Sequence, residues 1–220
     1  MKNRLLERLQ AIVAEHSPAA FASRLSVEDM VITDAIASAR LPIEILVLDT
    51  GRLPADTLGL IPQIEARYGA RVRVVRPDPD LVEKYVAEHG RDAFYGSVEL
   101  RERCCELRKV RPLRRALAGK RAWITGRRRE HLPAGAPLAE REFDMVHGLV
   151  KYNPLATWNE GDVWRYVRAR RVPYNRLYEQ GYRSIECAPC SAPRAEPWWW
   201  ENRGRAAVSQ PKKVIAIHTA

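Results

Sequence analysis

The sequence has few cysteines, few acidic residues relative to basic ones, and no long apolar run. Four cysteines in 220 residues are too few to staple a chain of this size, so stability must come from a hydrophobic core. No stretch approaches the roughly 18 to 20 apolar residues of a membrane span, which excludes a helical membrane anchor. The opening Met1-Lys2-Asn3-Arg4-Leu5-Leu6-Glu7-Arg8 lacks the apolar stretch of a secretory signal. The expected location is therefore the cytoplasm, where cysteines seldom serve as structural disulfides. Internal repeats and long low-complexity linkers are missing too. Asp and Glu number 27 against 37 Lys and Arg, a net charge of +10. That surplus suits an anionic partner, either nucleic acid or a small molecule bearing phosphate or sulfate. The 46% hydrophobic and 29% charged content is an ordinary globular balance and argues against general disorder.

The apolar pattern predicts an α/β fold. Leu5, Leu6, Leu9, Ile12 and Val13 have helical spacing across 4–16. A short strand over 19–25 and a helix over 27–39 follow. Strands are expected at 43–48, 71–75 and 122–125, and helices at about 54–68, 79–89, 98–118 and 159–170. Alternation of this kind means βαβ units and a mostly parallel sheet. Such sheets bind ligands beyond the carboxyl ends of their strands, where Asp49-Thr50-Gly51 and Thr125-Gly126 fall. Beyond Pro154 the pattern is less regular. The expectation is one α/β domain over 1–202, with an irregular C-terminal extension, and a basic tail over 203–220.

All four cysteines fall into two pairs. Cys104-Cys105 lies on the expected basic helix, and Cys187-Ala188-Pro189-Cys190 lies in a loop. A C-x-x-C loop can hold two sulfurs on one metal centre. Adjacent cysteines on a helix point about 100° apart, which is awkward for tetrahedral zinc but acceptable for a wider cluster. A redox C-x-x-C beside unrelated thiols, or four inert core thiols, would fit the spacing as well. Arg101, Arg103, Arg108, Lys109 and Arg111 surround the first pair, and positive charge is expected to lower the thiol pKa values.

Eight blocks then fall in order. They are Leu48-Asp49-Thr50-Gly51-Arg52-Leu53, Cys104-Cys105-Glu106-Leu107-Arg108-Lys109-Val110, Trp123-Ile124-Thr125-Gly126 with Arg128-Arg129, and Lys151-Tyr152-Asn153-Pro154-Leu155. Val172-Pro173-Tyr174-Asn175, Gly181-Tyr182-Arg183-Ser184-Ile185, Cys187-Ala188-Pro189-Cys190 and Trp198-Trp199-Trp200-Glu201 complete them. Over about 18–201 the chain resembles the assimilatory sulfonucleotide reductases, specifically the iron–sulfur type acting on adenosine 5′-phosphosulfate (APS). The resemblance implies an adenine-nucleotide α-hydrolase-like fold and reduction of APS to sulfite and AMP with thioredoxin, in sulfate assimilation and cysteine biosynthesis. It implies a [4Fe–4S] cluster on Cys104, Cys105, Cys187 and Cys190, with Lys109 linking cluster and substrate electrostatically. Relatives using the 3′-phosphorylated substrate (PAPS) typically lack the two pairs. Ser23 and Ser26 would cradle the phosphosulfate at a helix start, although Ser26 before Glu28-Asp29 reads equally as an N-cap. Asp49, Thr50 and Gly51 would lie near the adenosine, and Arg128 near the phosphosulfate.

The resemblance breaks at the nucleophile. The family carries a further cysteine, in Glu-Cys-Gly-Ile/Leu-His near the C-terminus, whose thiolate attacks the sulfur of APS. The nearest echo here is Lys213-Val214-Ile215-Ala216-Ile217-His218, with Ile215 in the nucleophile's place, so no catalytic nucleophile is identified. The substrate loop departs as well, with Arg24 for a serine, Ser26 for a glycine and Glu130-His131-Leu132 for an acid-Gln-Ser run. Two readings follow: an APS reductase impaired by the absent thiol, or an inactive cluster-bearing paralogue that binds APS or AMP as a sensor or scaffold. Nucleic acid ranks last as a partner, because the basic residues gather where a small anion explains them. A homo-oligomer is left open.

Overall fold

The computed structural model describes residues 2–133, 136–191 and 193. Contacts divide the chain into two interleaved units. The first comprises Met1–Val47, Gly59–Arg73 and Leu117–Arg176, and the second comprises Leu48–Leu58, Val74–Ala116 and the chain from Leu177.

The chain runs α1 (Lys2–His16), β1 (Ala19–Ser23), α2 (Val27–Ser38), β2 (Ile43–Leu48), α3 (Ala55–Leu58), α4 (Leu60–Tyr68) and β3 (Val72–Val75). Next come α5 (Pro79–His89), α6 (Val98–Cys105), a π-helical segment (Glu106–Val110) and α7 (Arg111–Leu117). It continues with β4 (Ala122–Ile124), β5 (Arg141–Asp144), β6 (Leu149–Tyr152) and α8 (Glu160–Arg170). The sheet order is β3-β2-β1-β4-β6-β5. β1 pairs in parallel with β2 and β4, β4 pairs in parallel with β6, and β5 pairs antiparallel with β6. The expected mostly parallel α/β fold is therefore present.

The core of the first unit follows from the apolar spacing. Leu5, Leu9 and Ile12 of α1 are buried, as are Phe21, Leu46 and Ile124 on the central strands. Each such side chain contributes roughly 1.5–3 kcal/mol by leaving water. α2 is buried along nearly its whole length, from Val27 to Ala37. Its acidic residues Glu28, Asp29 and Asp34 find partners inside the protein, while Thr33 Oγ1 is buried with no hydrogen-bond partner among the described residues. Asp34 accepts hydrogen bonds from Tyr68 Oη (2.9 Å), Tyr166 Oη (2.7 Å) and Arg170 Nε, tying α2 to α4 and α8.

Three expectations need refinement. The helix over 54–68 is two helices, α3 and α4, separated at Gly59. The helix over 98–118 is continuous in course but widens into the π-helical segment directly after Cys104-Cys105. The β5–β6 hairpin has no counterpart among the expected strands.

Candidate functional site

Two groups of residues carry chemistry, one in each unit. In the first unit the loop between β1 and α2 is closed by Asp29. Its Oδ2 accepts from the backbone N–H groups of Arg24 (2.8 Å) and Ser26 (3.4 Å), while Asp29 N–H donates to Ser26 Oγ (3.2 Å). This is a reciprocal capping box, so Ser26 acts as the N-cap of α2. Ser23 Oγ accepts from Leu25 N–H at 3.1 Å, which holds Leu25 at a φ of 60°. Burial pushes the Asp29 carboxyl upward, against the pull of Arg24. Gly126 crosses directly above: a Cβ built there would lie 2.1 Å from Asp29 Oδ1. Here glycine is required by close approach, since no side chain fits.

Arg128 is buried and already paired. Its Nε donates to Glu28 Oε1 at 2.9 Å and its Nη1 to Glu130. His131 Nε2 lies 3.2 Å from the same Glu28 oxygen. Burial would raise the Glu28 pKa, but the hydrogen bond and charge of His131, with the charge of Arg128, bring it down to about 2. Glu130, and His131 in place of the family run's glutamine, are thus the partners that complete this network.

In the second unit the four cysteines line one small pocket with Arg52, Phe94, Arg101, Arg108, Lys109 and Pro189. All four are free thiols. The π-helical segment carries Arg108 and Lys109 past the first pair, the kind of insertion often found at functional sites. Arg108 is buried and its Nη1 donates to the Thr50 carbonyl at 2.8 Å. Lys109 Nζ pairs with Glu186. Burial would lower the Lys109 pKa, but the charges of Glu186 and Cys187 outweigh it and hold the ammonium protonated.

The Asp49–Arg52 turn braces the second cysteine pair. Thr50 Oγ1 lies 3.1 Å from Cys187 Sγ, and the Arg52 carbonyl accepts from Ala188 N–H at 2.7 Å. Gly51 has φ 70°, a left-handed turn that favours glycine. Asp49 accepts from Gly51 N–H at 3.0 Å and from Arg76 Nε at 3.1 Å. Cys190 N–H closes the loop on the Cys187 carbonyl at 2.8 Å.

The expected lowering of the thiol pKa values does not occur. Burial raises Cys104 and Cys105 despite Arg108 and Lys109, and pushes Cys190 up to about 12. Arg103 and Arg111 pair instead with Glu88 (3.7 Å) and Glu106 (3.3 Å). The participation of Thr50, Arg52 and Glu186 in the cysteine site had no sequence signal. Among the described residues no group of three or more Cys, His, Asp or Glu is arranged to hold a single metal ion. Ile215 and Trp198-Trp199-Trp200 lie outside the described residues.

The phosphoadenosine phosphosulfate reductase domain model matches residues 19–193. The chain belongs to the phosphoadenosine phosphosulfate reductase family. Among curated members it is 50% identical over 209 residues to adenosine 5′-phosphosulfate reductase of Burkholderia cepacia, covering 90% of this chain and 84% of the relative. It is 49% identical to the enzyme of the same name from Allochromatium vinosum, covering 90% and 80%. These matches place it on the APS side of the family. The solved phosphoadenylyl-sulfate reductase of Candida auris superposes with a TM-score of 0.71 at 26% identity, over 83% of this chain and 87% of that one. An ammonia-dependent NAD synthetase from Campylobacter jejuni shares only the fold, with a TM-score of 0.58 at 9% identity over 81% and 76% of the two chains. The family member described here thus has the adenine-nucleotide α-hydrolase-like architecture expected from its motifs. No helix among its described residues is long and apolar enough to cross a membrane.

Proposed function

We propose that this chain is an APS reductase-type oxidoreductase that converts APS to sulfite and AMP, with thioredoxin as reductant, in cytoplasmic sulfate assimilation. The observation that carries the reading is the convergence of Cys104, Cys105, Cys187 and Cys190 on one cavity bordered by Arg108 and Lys109, in a chain half identical to curated APS reductases. Four cysteine sulfurs from two separate pairs on one pocket, two of them adjacent on a helix, suit the wider [4Fe–4S] centre better than tetrahedral zinc. When bound, the cluster supplies a negatively charged, polarisable iron–sulfur centre. Burial raises the Cys104, Cys105 and Cys190 thiols, so loading releases protons and weakens in acid. Lys109 and Arg108 offset the negative charge, and Glu186 fixes the lysine's direction.

For the substrate, the reading assigns Ser23, Ser26, Asp49, Thr50, Gly51 and Arg128. The reaction needs one further group. A thiolate attacks the sulfur of APS, forming an S–S bond as the bond from sulfur to the bridging oxygen breaks and AMP leaves. A dithiol then displaces sulfite and is oxidised to the disulfide, supplying the two electrons. The cluster ligands cannot supply that thiolate, and Ile215 stands where the family carries it.

Assays of AMP and sulfite release from APS, with and without thioredoxin, on this chain and on Ile215→Cys test the assignment. The expected result is binding of AMP by both and sulfite production raised strongly by the variant. Failure of both to bind AMP or APS would overturn it. Binding without sulfite from either would favour the second reading, an inactive sensor or scaffold, which the absence of a fifth cysteine supports.

A further inference from the structure

Arg52 has an unused donor at the four-thiol cavity. Its side chain is 6% exposed. Nη1 donates to the Arg91 carbonyl, and Nη2 pairs with Asp92 Oδ1 at 2.6 Å. The guanidinium lies over the Phe94 ring, 4.7 Å from its centroid. Nε is buried and has no hydrogen-bond partner among the described residues. A guanidinium fixed through both Nη atoms and stacked on a ring cannot turn Nε toward water. A buried charged donor left unpaired is unfavourable, so the site calls for an acceptor that the thiols or their bound group would provide.

The charge points the same way. Asp92 is largely exposed, so water screens its pairing and leaves Arg52 a net cation on the cavity side. The Arg52 carbonyl holds Ala188, between the second pair of cysteines, at 2.7 Å.

We propose that Arg52 is a positioning residue for the sulfur-ligated group, giving its unpaired Nε–H and its positive charge to an iron–sulfur cluster held by the four cysteines. The inference rests on the cluster reading above and adds to it a residue outside both cysteine motifs.

The test compares the full chain with Arg52→Gln and Arg52→Lys after anaerobic reconstitution with iron and sulfide. Iron content, release to a chelator, reduction midpoint and Fe–S stretching frequencies are read, with circular dichroism as a check on folding. Arg52→Gln should release iron about tenfold faster or more, the usual scale for lost support of a metal ligand. Its midpoint should move to more negative potential, because losing a cation disfavours the added electron. Arg52→Lys keeps the charge, so its midpoint should stay near wild type while release is intermediate. A loaded Arg52→Gln chain with wild-type midpoint, stretching frequencies and release would overturn the inference. So would equal shifts in both variants accompanied by altered folding, the mark of a packing role alone. A wild-type chain that takes up no iron would instead overturn the cluster reading itself.

Discussion

Acid should act on this protein first through Glu28. Its carboxylate is buried beside Arg128 and His131 and has a pKa of about 2, against an ordinary 4.5. The folded-state value is depressed, so the stabilisation is complete above about pH 4.5 and is lost as pH falls through the folded value near 2. A displacement of this size corresponds to about 3 kcal/mol. Glu28→Gln removes the charge but keeps an oxygen that can accept from Arg128 Nε. Arg128 retains Glu130, which is half exposed and a weaker partner. The variant should therefore be less stable by about 3 kcal/mol at pH 6, near the lower bound for breaking a buried pair. It should also be flatter in acid. Urea unfolding of both chains from pH 6 to pH 2.5 measures this, and the difference between them cancels the acid response common to both, including any loss of bound iron. Wild type and variant should converge as the pH drops. Parallel stability curves across that range would refute the idea that Glu28 is ionised and held by this network.

Most of the scaffold could be read from residue order, because the buried parallel strands are compact apolar runs such as Ile43-Glu44-Ile45-Leu46-Val47-Leu48. The β5–β6 hairpin could not. β5 is Arg141-Glu142-Phe143-Asp144 at the sheet edge, with no inward apolar face, so its pairing carries no period-two signal. The π-helical segment after Cys105 was equally hidden. It is a shift in backbone hydrogen-bond register, and the side chains through it keep an ordinary helical composition.

The cysteine site shows where sequence reasoning stops. Pairing of the cysteines was visible, and so was the surrounding positive charge. The net effect on the thiols was not, because burial opposes the arginines and wins, and burial is a property of the fold. The contact between Thr50 and Cys187 spans 137 positions and exists only because the turn after β2 meets the late loop. Ser26 illustrates the reverse case. Its N-cap role is local, set by Asp29 three residues on, and the sequence alone suggested it.

Two further substitutions test the buried polar framework of α2. Gly126→Ala would place a methyl 2.1 Å from Asp29 Oδ1, so the carboxylate must shift and release the N–H groups it holds at the helix start. A loss of about 2–4 kcal/mol, overpacking plus a damaged cap, should appear in urea unfolding, and an unchanged midpoint would disprove the close approach. Asp34→Asn addresses the other end of the helix. Asp34 is 1% exposed and takes four donors, from Ser38, Tyr68, Tyr166 and Arg170. An amide offers one oxygen where the carboxylate offers two, so a donor of the network must face an N–H or go unpaired. Arg170 is partly exposed and can turn to water, which limits the cost to about 2–3 kcal/mol. The alkaline limb separates this from simple packing. Burial, and then Asp34, raise the tyrosine pKa values, and a raised folded value means stability present below about pH 10 and lost as pH climbs beyond it. Removing the Asp34 charge takes away a main cause of the rise after burial, so the variant should lose stability less steeply above pH 10 than wild type. An equal or steeper alkaline loss in Asp34→Asn would show that the carboxylate is not what holds those hydroxyls protonated.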